Sequence, residues 1–70
     1  MRKTDQYKQI ISQYCHAHGR PFSWQSMEGA PVAKELNRDH PDLRQIASIV
    51  SNHISHDDGH KDAILQRLNS

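Results

Sequence analysis

Cysteine, glycine, proline and aromatic side chains are all scarce in this 70-residue chain, and no long apolar run occurs in it. The single cysteine, Cys15, cannot form an intramolecular disulfide. Small secreted domains usually rely on several such bonds, so a reducing, cytoplasmic setting is expected. No stretch approaches the roughly 20 apolar residues of a membrane span. The charged segment Met1-Arg2-Lys3-Thr4-Asp5-Gln6 is not followed by the apolar run of a secretory signal. With three glycines, of which Gly59 stands alone among polar residues, there is no phosphate-cradling loop. Excess charge is missing too: nine Lys and Arg against eight Asp and Glu leave +1, so bulk charge does not announce a nucleic-acid binder.

What remains is a chain with room for one domain, taken as residues 1–70. A core this small typically leaves about 3–5 kcal/mol of net stability, and little volume for a substrate cavity. Binding rather than catalysis is the expectation. Six histidines, each with an unperturbed pKa of about 6.5, make the charge depend strongly on mild acid.

Tyr7, Ile10, Ile11, Tyr14, Cys15 and His18 follow the i, i+3, i+4, i+7, i+8, i+11 spacing of an amphipathic helix. It is predicted over about 5–18, with Thr4 or Asp5 as N-cap and Gly19-Arg20-Pro21 as the stop. Phe22 and Trp24 lie in a segment without helical period, and are expected to plug the core between helices, an exposed contact being the alternative. A second helix is predicted to begin between Ser26 and Pro31, carry Val32, Ala33 and Leu36 inward, and end at Asn37. Arg38-Asp39-His40-Pro41-Asp42 reads as a turn. The third helix, to about Ser55, gathers Leu43, Ile46, Ala47, Ile49, Val50 and Ile54 on one arc, with Asp42 and Gln45 as a capping pair. After His56-Asp57-Asp58-Gly59, the residues Ala63, Ile64, Leu65 and Leu68 support a short fourth helix capped by Asp57 or Asp58; an Asp-Gly hairpin leading into a wing is the rival.

The opposite arc of the third helix carries Arg44, Gln45, Ser48, Ser51, Asn52 and Ser55, and no carboxylate occurs from Leu43 through His56. Arg can pair with guanine, and Asn or Gln with adenine, at about 1–3 kcal/mol of discrimination per bidentate contact. Arg44, Gln45, Ser48, Ser51 and Asn52 are therefore candidate base-facing residues. Arg20, Lys34, Arg38 and Lys61 are candidates for phosphate contacts, which position without reading sequence.

Residues 32–55 resemble the helix-turn-helix and winged-helix DNA-binding superfamily. Val32 and Leu36 stand at the buried positions of the supporting helix, Ala33 at the close approach, Asn37 where the turn takes a left-handed residue, and Leu43 and Ile46 at the buried positions of the second helix. Arg38, where the pattern has an apolar residue, and Pro41 depart from it and point to a longer turn. The resemblance implies an all-α domain of three or four helices, or a reduced winged helix. It would be a small regulatory or accessory protein with helix 42–55 in the major groove of double-stranded DNA. One such module supplies little affinity, so a homodimer or a protein partner is expected. The competing function is a protein-binding adaptor or inhibitor, of the kind phages and mobile elements encode, with no nucleic-acid contact.

Cys15-His16-Ala17-His18 and His53, His56, His60 raise the question of zinc, which needs about four tetrahedral ligands. One Cys with scattered His matches no paired spacing, so neither a metal nor any other cofactor is expected. His53 falls within the apolar arc of its helix and is expected at the core edge with one hydrogen bond. Cys15 with His16 or His18 could be drawn as nucleophile and base, but reactive thiols sit in electropositive, partly exposed places. Cys15 lies on the apolar face, so no enzymatic function is expected.

Overall fold

The computed structural model describes residues 2–70. Four helices follow in order: α1 (Lys3–Ala17), α2 (Gly29–Leu36), α3 (Leu43–Ser55) and α4 (Lys61–Leu68). No strand occurs among the described residues, so the region after His56 is a loop and a helix, not a wing. Among these residues, no helix is long and apolar enough to cross a membrane.

Each helix sends at least one fully buried aliphatic inward: Ile11 from α1, Val32 from α2, Ile46 and Val50 from α3, Ile64 from α4. Burying one such side chain contributes about 1.5–3 kcal/mol, so the chain depends on a core to which all four helices contribute. The α3–α4 pair is the most extensive contact, α1 lies against both, and α2 meets α3 more lightly. Phe22 is buried, and Trp24 packs against the same cluster with its indole N–H donating to Ser12 Oγ at 3.2 Å. These two rings fill the gap between helices, in an edge-on pair with centroids 4.9 Å apart.

The helix ends explain the register. α1 begins at Lys3, ahead of the expected caps, and neither Thr4 nor Asp5 caps it. The Thr4 hydroxyl instead donates to Leu36 O at 3.4 Å, giving a partner to a carbonyl at the end of α2 that has no intrahelical donor. At its other end, Gly19 takes φ 73°, its N–H donates to His16 O, and Arg20 N–H donates to Cys15 O. That is the double closure of a Schellman turn, which needs a residue tolerant of positive φ. Before α2, Ser26 Oγ accepts from Gly29 N–H and donates to Ser23 O. Asp42 caps α3 as expected, its carboxylate accepting from Gln45 N–H at 3.2 Å. The return bond comes from elsewhere: Glu35 Oε1, not the Gln45 side chain, accepts from Asp42 N–H at 2.9 Å.

Two turn expectations fail. Asn37 sits at φ −84°, in the right-handed region, so the connection from α2 to α3 does not pivot on a left-handed residue there. The connection's length agrees with the longer turn to which Arg38 and Pro41 pointed: six residues, 37–42, against the 3–4 of a tight helix-turn-helix. Asp57 and Asp58 do not cap α4 through their side chains; His60 occupies that position, without a side-chain bond.

Candidate functional site

Of the residues expected inward in 32–55, Val32, Leu36 and Ile46 are buried, while Leu43 and Ala33 are half-buried. The outer face of α3 divides into two unlike halves.

In the N-terminal half, Arg44 and Gln45 are exposed, and neither side chain has a hydrogen-bond partner among the described residues. A groove of about 300 Å³, which Leu43 lines at the start of α3, opens between the start of α1, the end of α2 and the 37–42 turn. Lys3, Arg38 and His40 stand on its walls with Asp39, over an apolar floor that includes Tyr7 and Leu36. Two other carboxylates at this end are engaged: Asp42, exposed, caps α3 by accepting from Gln45 N–H, and Glu35, largely covered, takes the Arg38 guanidinium at 3.3 Å and Asp42 N–H. The Arg38–Glu35 pair is a surface contact worth about 0–1 kcal/mol. Arg38 keeps 68% of its side chain in solvent, free to take a second acceptor.

In the C-terminal half the polar arc is already in use. Ser51 is completely buried, which corrects its assignment as a base-facing residue. Its hydroxyl donates to Asp57 O at 2.7 Å and accepts from His60 N–H at 2.9 Å, so it pins the 56–60 loop onto α3. Asp58 Oδ1 accepts from both Ser48 Oγ and Asn52 Nδ2, each at 2.9 Å, and Asn52 Nδ2 also donates to Ser48 O. A carboxylate therefore lies on the face that had none in the helix itself, and the Asn52 amide donors are engaged. Ser55 Oγ and Gly59 N–H both donate to Asp57 Oδ1, at 2.6 and 2.8 Å. The Ser55 hydroxyl first, then the Gly59 amide, hold the Asp57 carboxyl below its ordinary value near 3.8.

The four phosphate candidates are not gathered in one place. Arg38 joins the groove; Lys34 is exposed on α2. The carbonyl of Arg20 touches His53, and Lys61 follows the loop that Ser51 holds, so these two belong to the other half of α3.

Among the described residues, the histidines and Cys15 do not gather into one cluster; only His18 and His60 meet. His53 has three partners in place of the expected one: Nδ1 meets Glu28 Oε2 at 2.6 Å, and Nε2 meets the carbonyls of Arg20 and Pro21 at 3.2 and 3.1 Å. His60 Nδ1 meets the Tyr14 hydroxyl at 2.9 Å, and its ring packs edge-on against His18. Among the described residues, no group of three or more His, Cys, Asp or Glu is placed to hold a metal ion. Cys15 is fully buried, and burial pushes its thiol up to about 11, away from the reactive thiolate. Sequence inspection missed Glu28, Glu35 and Asp58 as structural partners. The Asp57-x-Gly59 spacing is the one local signal that pointed to a loop bond, since Asp commonly accepts from the backbone two residues on.

No protein-family model, no curated protein and no solved structure matches this chain.

Proposed function

We propose that this chain is a small DNA-binding module that addresses the major groove with the N-terminal half of α3 alone. Arg44 and Gln45 read base edges; Lys3, Arg38 and Lys34 contact phosphates. The observation that supports it is the division of α3: at one end Arg44 and Gln45 are exposed, next in sequence to Leu43, which lines the groove that Lys3, Arg38 and His40 also line, and at the other end lies the Asp57–Asp58 loop. A recognition helix contacts bases chiefly through its N-terminal residues, so the loss as readers of Ser48 and Asn52, both bonded to Asp58, and of buried Ser51 narrows the footprint without removing it.

The test is a fluorescence-anisotropy titration with mixed duplex DNA at two salt concentrations. Three phosphate contacts predict affinity falling about 40-fold on a fourfold rise in salt. Absence of binding at low salt, by protein shown to be helical, would sink the proposal.

A protein-binding role is the second reading. Met27 is 94% exposed beside Glu28, and an apolar side chain so presented, with the Asp57–Asp58 loop elsewhere on the surface, suits a protein partner better than a phosphate backbone. Under that role Met27→Ser weakens partner capture and the salt-dependent DNA signal is absent.

A further inference from the structure

The crossover between α1 and α2, residues 18–28, holds the two aromatics that close the core, yet it is a loop without regular structure. One side chain of α3 reaches it. His53 lies between Glu28, at the far end of the crossover, and the carbonyls of Arg20 and Pro21 at its near end. Its ring also meets Phe22 edge-on, with centroids 5.2 Å apart.

Every polar atom that faces this ring is an acceptor. A neutral imidazole has one N–H and one lone pair. If the N–H is on Nε2, the Nδ1 lone pair meets a carboxylate oxygen at 2.6 Å. If it is on Nδ1, the Nε2 lone pair meets two carbonyl oxygens at 3.1 and 3.2 Å. Either tautomer leaves one contact repulsive. Only the imidazolium, with a donor on each nitrogen, satisfies both sides, and it adds charge attraction to the Glu28 carboxylate. The charged groups brought to the ring from the packed elements are Glu28, and Arg20 through its carbonyl. Within α3 the residues one turn back are Ile49 and Val50; past the helix end lie His56 and Asp57, the latter bonded to Ser55 and Gly59.

We propose that His53 is a proton-operated clasp: the doubly protonated ring ties both ends of the 18–28 crossover to α3, and loss of one proton releases one end. On release, Phe22 and Trp24 are held by their apolar contacts and the Trp24–Ser12 bond alone, and the crossover loosens. The device is independent of what α3 binds.

Trp24 is the only tryptophan and sits in the clasped segment, so it reports on it. The experiment follows the His53 ring nitrogens, the amides of residues 20–24 and Trp24 fluorescence through one pH titration. Both His53 nitrogens should be protonated on the acid side, and the 20–24 amides and Trp24 should move together with His53 as the proton leaves. In Glu28→Gln the side-chain amide can donate to a neutral Nδ1 while Nε2–H still donates to the carbonyls, so the crossover should stay closed across the titration. Glu28→Ala, which removes the acceptor, should likewise uncouple the two signals. Glu28 is more than half exposed, so both variants retain the core, and circular dichroism checks it. Residues 20–24 standing still while His53 titrates would overturn the proposal. So would Glu28→Gln following the same coupled course as the parent protein.

Discussion

Removing the buried Ser51 hydroxyl would break two part-buried bonds, to the carbonyl of Asp57 and from the amide of His60, and loosen the 56–60 loop from α3. A hydrogen bond contributes about 0.5–1.5 kcal/mol net, so Ser51→Ala should lower the urea midpoint. Loss of stability, rather than any direct change in base preference, is the expected phenotype. Cys15 behaves differently. With its thiol held up to about 11 against an ordinary 9.0, the unfolded chain gives up that proton first as the solution becomes alkaline. Stability therefore falls as pH rises through that interval, and a thiol reagent at pH 8 should label Cys15 only in denaturant. Asp57 has the opposite sign. Its carboxyl is held below its ordinary value, so its contribution is present above about 3.8 and is lost as pH falls through the lower, folded value. The Gly59 amide resonance should shift in that acid range, and Asp57→Asn, which keeps an acceptor but cannot titrate there, should abolish the shift.

At the scale of the helix, Gly29 shows two effects in competition. Alanine is favoured over glycine in a helix interior by about 1 kcal/mol. A Cβ at this position, however, would stand 2.1 Å from Ser23 O and 2.6 Å from the Trp24 Cα, both backbone atoms that cannot swing away. Overpacking of this kind costs about 1–3 kcal/mol, so Gly29→Ala should lower the melting temperature despite its better propensity. Helices with a clear apolar period and local caps were legible from sequence: α3 from the Asp42–Gln45 spacing and its buried apolar residues Ile46, Ala47, Val50 and Ile54, and the end of α1 from Gly19. The start of α1 was not, because Thr4 is drawn away by a partner 32 residues on. Ser51 was misplaced for a related reason. On a wheel at 100° per residue it falls about 40° from Ala47, at the edge of the apolar arc, and what covers it is a loop whose return onto α3 no local pattern encodes. His53 was placed correctly at the edge of the core, but its partners come from segments 25 to 33 residues away.

On the whole molecule, size and charge together constrain how DNA could be met. The longest axis is 28 Å, short of the roughly 34 Å that separates successive half-sites on one face of a duplex. Under the proposed DNA-binding role, one copy would therefore cover a single half-site, and sharp sequence preference would require a second copy or a partner. Along α3, Arg44 and Ser48 are separated by about 6 Å of helix rise, inside the Debye length of about 10 Å at 0.1 M salt. The Asp58 carboxylate, bonded to both Ser48 and Asn52, is therefore only partly screened from contacts made at Arg44. Asp58→Asn keeps an acceptor for Ser48 and Asn52 while removing that charge, so if only the N-terminal half of α3 meets DNA, affinity should rise at low salt and the gain should shrink as added salt shortens the Debye length. Arg44→Ala should cost about 1–3 kcal/mol on the preferred sequence, and Arg38→Ala should lower the salt slope by about one on any sequence. Were the full length of α3 inside the groove, Asp58 would face phosphates directly, and the severalfold gain from Asp58→Asn would persist at the higher salt. Anisotropy titrations of the three variants against one duplex at two salt concentrations therefore separate a half-helix footprint from a full one.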